Sequence, residues 1–410
     1  MTQVKKIAIV WESETGGGVN SYLKYLLQSR AFLDKQITIF TNSENKGAKF
    51  LIKDLSQQKN IKFIFFNSFF VFNRKRSFLE KLIYYFLKPL LLIIAIFRFK
   101  KILSNSSYDI LLCECGNYGN FRSEQAAILA SKGLKIPVKI IVIHHACEKP
   151  PLFMGIVFKI IDYFLSKTLT SLISVSKATK ETLFYNSNLL SGNRLKGYVI
   201  HNGVPVNKFT KKDYLKLTLT KNNEAILKIG MVSRLSPDKG QDNLILAFSK
   251  LPMEYKKKMM IIFAGEDERG QKKKLKALIT DLNLESKIQF LDYVDINSSK
   301  IILSLDLLLS LTKSYEGFGL SIAEAMSVGT PVLATDVGGV NEFFNNDCGK
   351  LIKFSKIEDI KSSLIDFCDN KEDWDNKAQL AKNKIEKYFN SEIMGANYMN
   401  HFISRCGEIK

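Results

Sequence analysis

The run Ser314-Tyr315-Glu316-Gly317-Phe318-Gly319-Leu320-Ser321-Ile322-Ala323-Glu324-Ala325-Met326, followed by Gly329-Thr330-Pro331-Val332-Leu333-Ala334, decides how the chain is read. Upstream of it, residues 303–310 end in an apolar stretch of strand length. Downstream, residues 321–328 carry a helical pattern with Ser321 as the expected cap. The order is strand, glycine loop, helix, strand. In that order the free N–H groups of the loop and the positive end of the helix face one crevice, where α/β sheets bind phosphorylated ligands. Glu316 stands just before the glycines and Glu324 in the first turns of the helix, so both are expected at that crevice. A carboxylate accepts hydrogen bonds from the vicinal hydroxyls of a sugar or a ribose, while N–H groups take the phosphates. A nucleotide sugar asks for both kinds of partner.

With seven residues between the two acids and a Gly-Phe-Gly interior, the segment resembles the family-4 retaining glycosyltransferases of GT-B architecture. The resemblance implies an α/β protein of two Rossmann-like, doubly wound parallel-sheet domains facing a central cleft. It also implies a nucleoside diphosphate sugar as co-substrate, with no cofactor. It assigns contacts with the donor sugar to Glu316, Gly317, Phe318, Gly319 and Leu320, with Glu316 in a catalytic role, and contact with the ribose to Glu324.

A second match follows the strand expected at residues 226–232. In Ser233-Arg234-Leu235-Ser236-Pro237-Asp238-Lys239-Gly240, Ser236 with Pro237 signals a helix start, so Arg234 and Lys239 bracket a helix N-terminus. This is similar to the family's Arg-Leu…Lys-Gly pattern, in which the two cations hold the donor diphosphate. Breaking a glycosyl–phosphate bond develops charge on the departing diphosphate, which fixed cations and helix ends can stabilise without a metal. No metal ligand is assigned, and no Asp-x-Asp motif is expected in the chain.

The first half opens with a buried strand at residues 7–11. The turn Glu14-Thr15-Gly16-Gly17-Gly18-Val19-Asn20 and a helical run at 21–27 follow. Such a turn lets backbone approach a ligand, although a plain tight turn uses the same residues. The resemblance places Gly17 and Gly18 near the donor phosphate and the acceptor. Strands expected at 36–41, 61–66, 108–113 and 138–143 have the spacing of a doubly wound sheet. The last ends at His144-His145, and a histidine just past a parallel strand points into the crevice. In the resembled family a His-Asp or similar pair is common here, with the histidine near the transferred sugar. This chain has Ala146 after the two histidines, so the catalytic histidine is His144 or His145, with His144 preferred; a structural histidine bonded to a loop carbonyl is the other reading.

The turn-rich stretch around Asn202-Gly203 reads as a linker. It divides an acceptor-side domain, residues 1–203, from a nucleotide-sugar-binding domain, residues 204–388. By resemblance, helical residues 389–410 cross back onto the first domain. Asp292 stands where the family usually has glycine.

Length and composition agree with two cores: 410 residues, 46% of them hydrophobic. A formal net charge of +20 predicts attraction to polyanions or anionic lipid. Cations are spread along the whole chain without a zinc-finger spacing or an RNP-like motif, so no nucleic acid partner is expected. The six cysteines read as reduced thiols, and Cys113, Cys115 and Cys147 as small buried side chains in preference to a zinc site with His144 and His145. Residues 1–6 run straight into the first strand with no signal peptide, so a cytoplasmic protein is expected.

Between residues 74 and 101 the composition shifts. Arg74, Lys75, Arg76, Lys81, Lys88, Arg98, Lys100 and Lys101 surround two apolar runs parted by Lys88-Pro89, with Glu80 as the lone acid. Each run is shorter than the roughly 20 residues of a spanning helix. The segment suits a helix lying in the headgroup layer of an anionic membrane, and equally a buried helix with a solvated basic rim. Together with the resemblance, this implies a retaining, metal-independent hexosyltransferase, expected to be peripheral on the inner face of the cell membrane. It would move a sugar from a nucleotide-sugar donor to a saccharide or lipid-linked acceptor in bacterial surface polysaccharide or lipopolysaccharide synthesis. The alternative is a non-catalytic GT-B-like protein that binds anionic membrane or polyanion. The persistence of both donor motifs in one chain favours the enzyme.

Overall fold

Uninterrupted apolar runs such as Ile7-Ala8-Ile9-Val10 and Ile140-Ile141-Val142-Ile143 leave no face for water, which suits strands covered by helices on both sides. A computed structural model describes residues 4–14, 17–70, 78–190, 195–206, 226–291, 298–353 and 356–408. Gly16, the basic run Arg74, Lys75 and Arg76, and Asp292 lie outside them.

The chain divides into two compact units, one of Met1–Asn202 with Glu392–Lys410 and one of Gly203–Ser391. The first unit begins β1 (Lys6–Trp11), α1 (Gly18–Gln28), β2 (Gln36–Asn42), α2 (Lys46–Asp54), β3 (Ile61–Phe66) and α3 (Phe78–Leu103). It continues β4 (Ile110–Cys115), α4 (Ser123–Ala130), β5 (Val138–Ile143), α5 (Gly155–Thr168), β6 (Ser171–Ser174), α6 (Lys177–Asn186) and β7 (Gly197–Val199). Among the described residues its sheet has the order β3-β2-β1-β4-β5-β6-β7 with every neighbouring pair parallel. The order reverses between β1 and β4, so the loops after those strands diverge and open a crevice at their carboxyl ends.

The second unit begins β8 (Leu227–Val232), α7 (Gln241–Ser249), α8 (Met253–Lys258), β9 (Met259–Ala264), α9 (Gln271–Asp281), β10 (Ile288–Leu291) and α10 (Ser298–Leu303). It continues β11 (Leu307–Ser310), α11 (Leu320–Val328), β12 (Val332–Thr335), β13 (Lys350–Ile352), α12 (Ile357–Asp369) and α13 (Lys371–Tyr388). Its sheet runs β10-β9-β8-β11-β12-β13, again parallel throughout the described strands, with the reversal between β8 and β11. Ile229, Phe248, Phe263, Leu307, Leu333, Phe367 and Trp374 belong to its core.

Three local expectations shift. β4 begins two residues late, at Ile110, because Asp109 turns out to accept the N–H groups of Lys5 and Lys6, each at 2.8 Å. Glu114 thereby falls inside a strand buried along its whole length. The cap of α11 is Gly319, at φ 99°, and Ser321 lies inside the helix. The turn needs a left-handed residue, which glycine supplies without strain. Pro89 does not break α3, which continues through it as one helix. A proline there removes a hydrogen bond and costs about 3 kcal/mol, offset by the inward face on which Leu92, Ala95, Phe99 and Leu103 enter the core.

α14 (Ser391–Glu408) carries the chain back to the first unit from Glu392 onward. Tyr398 and Phe402 are fully buried, their rings 6.0 Å from Tyr22 and 6.2 Å from Phe32, and Glu392 accepts the Arg30 N–H. Phe402→Ala should empty this contact and lower the stability of the first unit by about 3–5 kcal/mol, read from urea unfolding.

Candidate functional site

In the second unit the reversal between β8 and β11 brings together the two stretches singled out in the sequence. After β8 the chain passes Ser233, Arg234 and Leu235, makes a 3-10 turn at Pro237–Lys239, and enters α7 at Gln241. The Ser236-Pro237 signal thus opens the 3-10 turn, and the α-helix follows. After β11 come Thr312, the glycine loop and α11. The loops are joined where Lys313 N–H donates to the Asp238 carbonyl at 2.7 Å. Gln241 braces the first of them, its Nε2 donating to the Arg234 carbonyl at 2.9 Å and to Ser233 Oγ at 3.2 Å.

At this junction Lys239 Nζ lies 2.7 Å from Glu316 Oε2, with Thr312 Oγ1 donating to the same oxygen at 3.3 Å. The pair is partly buried, 13% and 21% of the two side chains being accessible. A cation fixed on a carboxylate at a strand-loop-helix junction can receive an anion, and a carboxylate is an acceptor for hydroxyls. Arg234 is paired with Glu268, which follows β9, and remains more accessible than Lys239. Glu324 is buried in the body of α11. Phe318 is buried and stacks on Phe343, ring centroids 4.3 Å apart, so the residue between the two glycines anchors the loop.

The backbone of Glu316 is clamped from behind. Its carbonyl accepts the Gly339 N–H at 2.9 Å, and a Cβ on Gly338 would sit 2.1 Å from the same oxygen. Gly338 also has φ 59°, so position and conformation both require glycine.

The first unit holds a second cluster at its own reversal. Gly17 caps α1 in an extended conformation, its N–H donating to Asn20 Oδ1 at 2.6 Å, and Gly18 is the first helical residue. Just beyond β5, His144 Nε2 lies 2.8 Å from Glu114 Oε2, while His145 is exposed. The edge of the Tyr22 ring meets the His144 ring at 4.6 Å between centroids. Burial raises the Glu114 carboxyl pKa, and the bond to His144 pulls it back down. With Glu114 ionised, the histidine's Nε2 carries the proton and Nδ1 is left as the acceptor.

Glu12, immediately after β1, accepts the Ser123 N–H at the start of α4 at 2.8 Å and donates its own N–H to Glu124 Oε1 at 2.8 Å. Burial and the Glu12 carboxylate push Glu124 up to about 8. Glu114, Glu12, Glu124, Tyr22, Thr312 and Glu268 were not anticipated. The available signal was Glu114, a charged residue in the middle of a strand with two buried faces. Cys113, Cys115 and Cys147 are buried, and burial pushes all three thiols up. The sequence does contain one Asp-x-Asp triplet, Asp373-Trp374-Asp375. It lies in α13, where Trp374 is in the core, Asp373 pairs with Lys377 at 2.7 Å and Asp375 pairs with Lys371.

Residues 219–387 match the family described as glycosyl transferases group 1. The chain is 31% identical over 204 residues to the poly(ribitol-phosphate) alpha-N-acetylglucosaminyltransferase of Staphylococcus aureus (strain COL), covering 48% of this chain and 40% of that one. It is 27% identical over 244 residues to the UDP-Gal:alpha-D-GlcNAc-diphosphoundecaprenol alpha-1,3-galactosyltransferase of Escherichia coli, covering 57% and 60%. The aligned stretches thus span less than two thirds of these relatives. In fold the chain is similar to the crystal structure of Anabaena Alr3699/HepE in complex with UDP and glucose, with a TM-score of 0.73 and 19% identity over 98% of this chain and 100% of that one. The architecture is that of the GT-B glycosyltransferases.

Two outcomes follow from the site geometry. Gly338→Ala should cost about 1–3 kcal/mol of stability through backbone strain, read as a lowered urea midpoint. Glu124 is a carboxyl whose pKa is raised by folding, so the stability linked to it is present below the unfolded value of roughly 4.3 and drains away as the pH rises toward about 8. Glu124→Gln keeps the acceptor oxygen without the titration, and should lose less stability between about pH 5 and pH 8 than the wild type.

Proposed function

We propose that this chain, whose residues 219–387 match the glycosyl transferases group 1, is a retaining glycosyltransferase working at the cytoplasmic face of a membrane. It takes a sugar from a nucleoside diphosphate sugar and transfers it to a saccharide or lipid-linked saccharide in surface polysaccharide or lipopolysaccharide synthesis. The observation that carries the reading is the Lys239–Glu316 pair, 2.7 Å apart where the loop after β8 meets the loop before α11. One junction offers a cation, a carboxylate and two helix N-termini, which together answer the two chemistries of a sugar diphosphate.

On this reading the donor diphosphate lies on Lys239 and Arg234 and on the N–H groups of residues 317–320. Glu316 accepts from the sugar hydroxyls and Glu324 from the ribose. As the glycosyl–phosphate bond lengthens, negative charge grows on the diphosphate, and the two cations with the α11 N-terminus stabilise it. Gln241 braces the Arg234 backbone, and Thr312 and Gly339 hold Glu316, which in turn holds Lys239, so little reorganisation opposes the step. No metal is assigned a part. In the first unit His144 is the candidate catalytic histidine, and Glu114 holds its ring. The acceptor is read as lipid-linked because the Escherichia coli relative is named for a diphosphoundecaprenol-linked acceptor.

The test is turnover of nucleotide sugars followed by mass spectrometry, with calorimetry of uridine diphosphate binding. Lys239→Ala should weaken binding by about tenfold or more, in line with loss of a charge-assisted hydrogen bond. Glu316→Ala should lower turnover at least about a hundredfold while the far-ultraviolet dichroism stays native. Unchanged turnover in both variants would overturn the assignment.

A further inference from the structure

The two helices that flank α4 in the first unit carry more apolar surface than the fold uses. Each already has a core face: Leu92, Ala95 and Phe99 of α3, and Phe158, Ile161 and Leu165 of α5, pack into the same cluster. Their outward sides are apolar as well. Phe86, Leu90 and Phe97 of α3 are more than half exposed, as are Ile156 of α5 and Phe153 in the 3-10 turn just before it, where Leu152 is fully accessible. The rings of Phe86 and Phe153 approach to 5.7 Å between centroids, which joins the two elements into one continuous surface. Contiguous exposed apolar surface of this kind marks an interaction site.

The charge around it selects the occupant. On α3 the described charged side chains are Lys88, Arg98, Lys100 and Lys101 against Glu80 alone, and on α5 Lys159 and Lys167 are exposed while Asp162 is buried against Tyr118 and the Asn188 N–H. A second copy of this face would meet like charge; a layer of anionic headgroups over hydrocarbon would meet both features at once. Among the described residues no helix is long and apolar enough to cross a membrane.

We infer that α3 and the start of α5 form one surface that docks on an anionic lipid bilayer and seats its apolar side chains at the headgroup boundary. The placement has a consequence for the acceptor and there rests on the transferase reading. α5 starts beyond the carboxyl end of β5, and Leu152 comes eight residues after His144. α3 likewise starts beyond the carboxyl end of β3. The docking surface therefore rises from the same edge of the sheet as Glu12, Gly17 and His144, and an acceptor carried by lipid reaches that edge without leaving the membrane.

Flotation with vesicles of phosphatidylglycerol and phosphatidylcholine tests this, with pure phosphatidylcholine as comparison. The wild type should float with the anionic vesicles and be released by high salt. F86S/L90S and F153S/I156S, all at exposed positions, should each lower the bound fraction about tenfold or more with native dichroism, unchanged uridine diphosphate binding and unchanged hydrolysis of the soluble donor. Wild type that stays off anionic vesicles, variants that float as well as wild type, or a wild-type dimer that the variants dissociate would each overturn the surface. Flotation without any nucleotide binding would leave the surface standing and remove the transferase reading, so the two failures are distinguishable.

Discussion

A parallel strand buried on both faces presents its neighbouring loops only at its ends, and where strand order reverses two such loops part and leave a crevice. Both units meet this constraint, and each places its most unusual polar groups at the reversal. In the second unit the result is Lys239 on Glu316, fixed by Thr312 from one side and by the Gly338-Gly339 turn from behind. Pairing a lysine with a glutamate in a partly dry setting gives little net stability, since desolvation offsets much of the attraction. Its value lies in position, each side chain orienting the other.

The first unit solves a harder problem, because its charges lie deeper. Glu114 is inside a strand, and Glu12 and Glu124 bond to each other's neighbourhood at the head of α4. Buried carboxylates are tolerated when N–H donors or a partner such as His144 compensate them. The raised Glu124 value shows that the compensation is incomplete, and incomplete compensation is common where chemistry is done. The second carboxylate of this pair makes the region sensitive to pH.

The apolar side chains outside α3 and α5 have a different origin. They lie outside the core, which the inner faces of the same helices complete, and cations are interleaved with them. Pro89 illustrates how such a helix survives a local penalty: tertiary packing of one stripe outweighs the lost hydrogen bond.

By itself the sequence determined the alternation of strand and helix, the parallel sheets and the glycine loop beside Glu316, because these depend on near-neighbour patterns of apolar residues and on glycines that only certain turns accept. It also singled out Lys239 and Glu316, whose expected roles toward a phosphate and a hydroxyl came from the resemblance of their two segments to a known family. Their meeting at 2.7 Å was decided by the sheet order, since 77 residues of chain separate them. The same holds for Glu114 with His144, for Glu12 with Glu124, and for Phe86 with Phe153, pairs whose members lie on different elements. Contact between distant residues depends on how helices and strands stack, and a local pattern carries no record of that stacking; it is also why Gly319 caps α11 where Ser321 was expected, the turn being shaped by what packs around it.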